Sequence, residues 1–268
     1  MPPAKKSLVD LFGPDVCIDA VDIGANSIVS DRVPPYQAVL DVGQAKLVGF
    51  EPNLDALKRL NDKKGPNELY LPYFVFDGSE QELKVCKALG ITSRVEPNIE
   101  LLEFFRGFPE WGTFIERIPL STVRLDEVEE IQNIDLLKID IQGCEFEVLR
   151  NGIDRLKDCL VIHTEVDFFP IYKNPPLYSE VEQFLISKDF LFHKVDSLVR
   201  RTVKALQVNN NLFTGFSPVF WADAYFVKDF TKFDLLSPEK LQKLTLILCY
   251  IYGPFYLSIW SLMAFDTK

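Results

Sequence analysis

Val21-Asp22-Ile23-Gly24-Ala25-Asn26 and, one βα unit later, Val48-Gly49-Phe50-Glu51-Pro52-Asn53 decide the reading of this chain. The first is an apolar strand running into a glycine, which lets backbone approach a ligand closely. The second is a strand ending in an acid, where ribose hydroxyls lie in nucleotide-binding sheets. In this order they predict a nucleoside site at the carboxyl edge of a parallel sheet. The plain alternative is an ordinary strand-turn-helix in which Asn26 or Ser27 caps the helix.

Outward from these two stretches, β-branched strands alternate with amphipathic segments, the pattern of a doubly wound α/β sheet. Strands are expected near Ala20 to Ile23, Lys46 to Glu51, Tyr70 to Phe76 (ending in Asp77-Gly78), Leu83 to Cys86, Leu136 to Asp140, Cys159 to Val166, Phe190 to Val195 and Phe220 to Val227. Helices are expected from Asn53 toward Gly65, over Val123 to Ile131, from Gly143 to Leu149 and from Tyr178 to Ser187. The stretch 87–117 reads as an irregular insertion rich in aromatics, either a lid or a core cover. Leu244 to Phe265 is apolar but interrupted by Gly253-Pro254, so it reads as two packing helices and not a membrane span. The expected organisation is a domain over 1–235 that includes the insertion, then a helical segment over 236–268 packed on the domain or on a homodimer partner.

Composition narrows the function classes. With 268 residues, 47% hydrophobic and 25% charged, the chain is long enough for one large core. A formal net charge of -10 argues against nucleic acid as partner, because such binders present a basic face. The basic residues Arg200, Arg201 and Lys204 sit in an expected loop that could attract an acidic substrate. Five cysteines without a C-x-x-C spacing suggest reduced thiols and a cytoplasmic setting. The basic start, Met1 to Lys6, is not followed by the apolar run of a secretory signal.

The turn after the first strand carries one glycine and begins with Asp22, unlike the G-x-G-x-x-G of dinucleotide sites, which disfavours an NAD-dependent dehydrogenase. A carboxylate beside the turn suits a cationic ligand. S-adenosylmethionine, with ammonium and sulfonium charges, fits that polarity.

Seven blocks in one order then resemble the FkbM family of S-adenosylmethionine-dependent methyltransferases: VDIGAN at Val21 to Asn26, FEPN at Phe50 to Asn53, TSRVEPN at Thr92 to Asn98, PLSTVRLDE at Pro119 to Glu127, LLKIDIQGCEFEVLRNG at Leu136 to Gly152, HTEVDFFPIY at His163 to Tyr172, and WADAYFVKD at Trp221 to Asp229. The resemblance implies a Rossmann-like, mostly parallel sheet with an antiparallel final strand, and methyl transfer, usually to a hydroxyl oxygen. It also implies a cofactor site in which Asp22, Gly24, Ala25 and Asn26 form the methionine-side turn, Glu51, Pro52 and Asn53 the ribose side, and Asp77 and Gly78 the adenine side. Two departures stand out. Ser27-Ile28 replaces a further glycine common in such enzymes, and Arg94 replaces an apolar residue.

Oxygen methylation needs an aligned hydroxyl and a proton acceptor. Asp140 and Glu165 end neighbouring parallel strands and should share the rim beside the cofactor. Two mechanisms stay open: the pair holds magnesium, which acidifies the hydroxyl of a glycan or other hydroxylated acceptor, or His163 or Glu165 acts directly as base. Asp140 could equally cap a helix or hold the cofactor. A non-catalytic binding or assembly protein on the same fold is the competing reading.

Overall fold

The computed structural model describes residues 12–13, 15–26, 33–86, 93–105, 114–204, 206, 209–211, 214–253 and 256–268. Ser27-Ile28, Pro254 and the insertion aromatics Phe108 and Trp111 lie outside them. In chain order the elements are β1 (Ile18–Ile23), α1 (Gln37–Asp41), β2 (Ala45–Phe50), α2 (Leu54–Lys63), β3 (Glu68–Leu71), β4 (Phe74–Phe76), β5 (Glu80–Cys86), α3 (Ile99–Leu102) and β6 (Phe114–Arg124). There follow β7 (Leu136–Ile139), α4 (Glu145–Arg150), α5 (Ile153–Leu156), β8 (Val161–Asp167), α6 (Tyr178–Ile186), β9 (Phe190–Arg200), β10 (Val219–Lys228), α7 (Pro238–Tyr252) and α8 (Tyr256–Asp266).

The main sheet has seven strands in the order β3-β2-β1-β7-β8-β10-β9. β3, β2, β1, β7 and β8 run parallel, and β10 is antiparallel to both its neighbours. This is the mixed α/β, Rossmann-like sheet expected, with helices following at the carboxyl terminus. The strand order reverses between β1 and β7, which opens a crevice at the carboxyl ends of those strands. One sheet face buries Val21, Ile23, Leu137, Ile139 and Ile162; the other buries Ile18, Ala20, Leu136 and Val161. The alternation within β1 is what a strand covered on both faces requires.

Three expected elements differ. The strand expected to stop at Val195 continues as β9 through Arg200, expected in a loop, and pairs there with Val219. The run Tyr70 to Phe76 is two strands, because Pro72 has no N–H to give and breaks the ladder: β3 stays in the main sheet, while β4 joins a small sheet of order β4-β6-β5. The helix expected over Val123 to Ile131 is instead the end of β6 and a single 3-10 turn at Leu125–Glu127. Ile118, Thr122 and Val123 are β-branched and pair with β5 and β4, so ladder pairing overrides the acidic helix-like spacing. The expected insertion accordingly ends at Phe114, where β6 begins, and its described part carries α3.

Helix α7 starts with Ser237, whose Oγ accepts from the Lys240 N–H at 3.2 Å, followed by Pro238. Its Leu241, Leu244 and Ile247 are fully buried on the second sheet face. Each such side chain contributes about 2 kcal/mol of apolar burial. Lys240 and Lys243 of α7 both donate to the buried carboxylate of Asp135, at 2.9 Å each, just before β7. On α8, Ile259, Trp260 and Met263 are exposed. Among the described residues no helix is long and apolar enough to cross a membrane.

Candidate functional site

The carboxyl ends of β1, β2, β7 and β8 meet at one rim, and backbone bonds fix their spacing. Gly24 and Ala25 donate to the Phe50 carbonyl at 3.1 and 3.0 Å, and Asp140 donates to the Ile23 carbonyl at 2.9 Å. Gly24 has φ +85°, and a Cβ there would lie 2.1 Å from the Asp140 carbonyl oxygen. Only glycine fits that turn.

Asp22 is 1% exposed and fully engaged by protein: Tyr36 donates to Oδ2 at 2.5 Å and Lys138 to Oδ1 at 3.0 Å. Burial raises its carboxyl above the usual range, against the pull of Lys138. Glu51, on the rim itself, is 8% exposed; its Oε1 accepts from the Asn53 N–H at 2.8 Å, and the Asn26 N–H also lowers it. Burial outweighs those bonds and leaves Glu51 raised. Asn53 also caps α2, its Oδ1 accepting from the Ala56 N–H at 3.0 Å, and Pro52 lies between the two. The fold thus ties Gly24, Ala25, Asn26, Glu51 and Asn53 into one turn-over-turn unit. Asp77 and Gly78 follow β4 and so leave the main sheet. Burial pushes the Asp77 carboxyl up, but donors on Ser79, Gln81 and Thr122 outweigh it and hold it low.

At the β7 and β8 end of the rim, Asp140 takes a hydrogen bond from Gln142 Nε2 at 2.9 Å, and Glu165 lies opposite Asp223 in the β8–β10 register. Burial raises the Glu165 carboxyl well above its ordinary value, and Asp140 and Glu145 raise it further. Glu145, expected only as a structural acid in a first helical turn, and Asp167 join this group: a cavity of about 10 Å³ is lined by Gly143, Glu145, Glu165 and Asp167. Asp167 is 7% exposed and its Oδ1 has no partner among the described residues. Burial and Glu145 push it well above the usual carboxylate range. The signal for Asp167 was present in His163-Thr164-Glu165-Val166-Asp167, since residues two apart on a strand share a face.

His163 sits one row inside the rim, in register with Lys138 and Tyr225. It stacks on Tyr225 at 4.2 Å, its Nε2 is 4.0 Å from Asp223 Oδ1, and its Nδ1 has no partner among the described residues. Burial and then Lys138 and Lys194 hold it well below its ordinary value, so it is neutral at pH 7. Among the described residues no group of three or more His, Cys, Asp or Glu side chains is arranged to hold a metal ion.

Glu145 gives this cluster a measurable pH signature. Its Oε1 accepts from the Ile141 and Gly143 N–H groups at 2.9 and 3.2 Å, yet burial raises its carboxyl from 4.5 to about 7. Between those values the folded protein keeps a proton that the unfolded chain releases, so this contribution to stability is present below pH 4.5 and is lost as pH rises through about 7. Glu145→Gln keeps the accepting oxygen and removes the charge. Urea denaturation of this variant should match the parent near pH 4.5 and exceed it by about 3 kcal/mol at about pH 8. Equal pH slopes would show that Glu145 is not forced to hold its proton.

Residues 22–192 match the model of the methyltransferase FkbM domain. No curated protein matches the chain. Solved structures with similar coordinates include a protein from Thermoplasma acidophilum assigned as a methyltransferase (12% identity, 79% of this chain and 68% of that one, TM-score 0.40). Another is magnesium protoporphyrin IX methyltransferase from Synechocystis PCC 6803 with bound S-adenosylmethionine (8% identity, 82% and 74%, TM-score 0.41). A third is a protein of the NADB-Rossmann superfamily from Streptococcus agalactiae (12% identity, 96% and 93%, TM-score 0.38).

Proposed function

The chain belongs to the methyltransferase FkbM domain family, and from that premise we propose that it transfers a methyl group from S-adenosylmethionine to a hydroxyl oxygen of a glycan or other hydroxylated metabolite. One observation carries the reading: Glu51, Asp140 and Glu165 converge on the rim where the β1–β7 reversal opens the sheet. These acids suit a ligand with two positive charges. Asn26, Glu51, Pro52 and Asn53 would hold the ribose side. Asp22, whose oxygens are both taken, would set the turn without offering a free carboxylate, and Asp77 and Gly78 would approach the adenine from the small sheet. When bound, the cofactor supplies an electrophilic methyl carbon on a sulfonium.

The chain's own work is then to align the acceptor and remove its proton. Asp140, fixed by Gln142, would accept a hydrogen bond from the acceptor, and Glu165 would take the proton of its hydroxyl, the methyl–sulfur bond giving way to a methyl–oxygen bond with S-adenosylhomocysteine as leaving group. Once ionised, a carboxyl raised by burial and by neighbouring acids is a stronger base than an ordinary glutamate. His163, neutral and one row inside, would steady that region by stacking on Tyr225. Proton removal by Glu165 needs no metal, whereas the alternative in which Asp140 and Glu165 hold magnesium would lose turnover in EDTA. The five cysteines form no disulfide among the described residues, which supports a reducing, cytoplasmic setting. The exposed apolar residues of α8 support self-association through the carboxyl-terminal segment.

Titration calorimetry tests the core of this. The parent should bind S-adenosylmethionine and S-adenosylhomocysteine and not NAD, and Glu51→Ala should weaken both by about tenfold or more, the loss of a hydrogen bond to a charged acceptor. Equal affinity in parent and variant removes the ribose role of Glu51. Binding of neither ligand removes methyl transfer and favours a scaffold protein.

A further inference from the structure

A cleft of about 700 Å³ opens beside the rim, between β5, β6, the segment 93–97 and the chain after Tyr172. Four cations line it, Lys84, Arg94, Arg117 and Lys173, in a chain whose formal net charge is -10. Two of them are neutralised: Arg117 pairs with Glu82 at 2.9 Å and Lys173 with Glu96 at 3.0 Å. Glu80, the remaining acid of the lining, accepts from the Ser121 hydroxyl at 2.8 Å. Lys84 and Arg94 have no carboxylate within ion-pair distance among the described residues.

Arg94 is held ready. Its Nε donates to Gln81 Oε1 at 2.8 Å, and its guanidinium carbon lies 4.9 Å from the centroid of the Phe76 ring. Both contacts fix the plane and leave the two terminal nitrogens, the fork that grips a carboxylate or phosphate. The cleft also adjoins the chemistry. Ser93 donates to the Gln142 carbonyl at 2.5 Å, Gln142 holds Asp140, and a Cβ on Gly143 would meet Tyr172 at 2.7 Å and Val95 at 3.1 Å. The residues that line the cleft are thus chain neighbours of those packed on the Asp140–Gly143 turn.

We propose that this cleft binds the methyl acceptor through an anionic group, phosphate or carboxylate, gripped by Arg94 and Lys84, with the acceptor's hydroxyls directed at Asp140 and Glu165. This deepens the methyltransferase reading and rests on it for the second half only, since the cleft binds the anion whether or not a cofactor is present. Arg94 then sets acceptor class by charge, and its planar fork makes it more than a generic cation.

The test is titration calorimetry of glucose 6-phosphate, glucuronic acid and glucose, with and without saturating S-adenosylhomocysteine, on the parent and on Arg94→Gln, Arg94→Lys and Lys84→Gln. At least one anionic sugar should bind more tightly than glucose, and added salt should weaken it. Arg94→Gln should weaken it about tenfold or more, Arg94→Lys should recover part of that, and S-adenosylhomocysteine affinity should stay unchanged in all variants. The preferred sugar tells phosphate from carboxylate. If the parent binds all three sugars alike or neither anion, or if Arg94→Gln and Lys84→Gln bind as the parent does, the proposal is overturned. Loss of S-adenosylhomocysteine binding with intact anion binding would instead sink methyl transfer and leave the cleft standing.

Discussion

Asp135→Ala should destabilise the protein by about 3 kcal/mol or more, the expected range for removing one partner of a buried ion cluster. Asp135 is 0% exposed, and its oxygens receive Lys240 Nζ, Lys243 Nζ and the Asp19 N–H at 2.9, 2.9 and 3.0 Å. Truncation leaves Lys243, 8% exposed, with only the longer contacts to Glu239 and Asp19 at 3.4 and 3.6 Å. It also strips an acceptor from the Asp19 N–H at the start of β1. The damage is expected at the end of the sheet away from the rim, so hydrogen exchange should report α7 opening first while S-adenosylhomocysteine still binds the folded fraction. Lys243→Met in the same background should restore part of the loss, because it removes the stranded charge. A urea transition of Asp135→Ala within about 0.5 kcal/mol of the parent would mean that apolar burial alone holds α7.

What could be read beforehand follows from range along the chain. The strand end at Ile23, the Asn53 cap and the break between two carboxyl-terminal helices are written in local spacing and formed where expected. β2 stops at Phe50, one residue short of its expected end, and the first of those helices starts earlier, at Pro238. The β3–β4 break was also local, in Pro72, but the apolar run around it masked the change of sheet. β6 misled because its acids mimic a helix face while its pairing partners lie far away in β5 and β4. The site divides in the same way. Gly24, Glu51 and Asp140 directly follow strands and could be found by that position, and Glu165 lies level with Asp140, two residues before the end of β8. The engagement of Asp22 by Tyr36 and Lys138, and of Asp135 by α7, joins residues separated by 14 to 116 positions, and nothing in the neighbourhood of either acid announces its partners. The clustering of Glu145 with Glu165 and Asp167 likewise needed the packing of α4 against β8.

Gly24→Ala should abolish cofactor binding and cost more than about 4 kcal/mol, because two separate penalties meet at one carbon. The first is conformational: at φ +85° an L side chain is strained by about 1–2 kcal/mol. The second is overlap, with the new Cβ 2.1 Å from the Asp140 carbonyl oxygen and 3.2 Å from Ile141 Cγ2. The Asp140 oxygen belongs to backbone whose own N–H donates to Ile23, so it cannot swing aside as a side chain would. Relief requires β1 and β7 to part at their carboxyl ends, which moves the Gly24–Asn26 turn off Phe50 and Asp140 off the rim together. Gly43→Ala separates the two penalties. Gly43 has φ +75° with nothing within 4 Å of an added Cβ, so it carries only the conformational strain and should lose about 1 kcal/mol with cofactor affinity intact. The difference between the variants in urea denaturation measures the overlap, and calorimetry with S-adenosylhomocysteine measures its reach into the site. A Gly24→Ala protein no less stable than Gly43→Ala, and still binding, would mean that the β1–β7 junction yields easily and that the closeness of that turn is not what shapes the site.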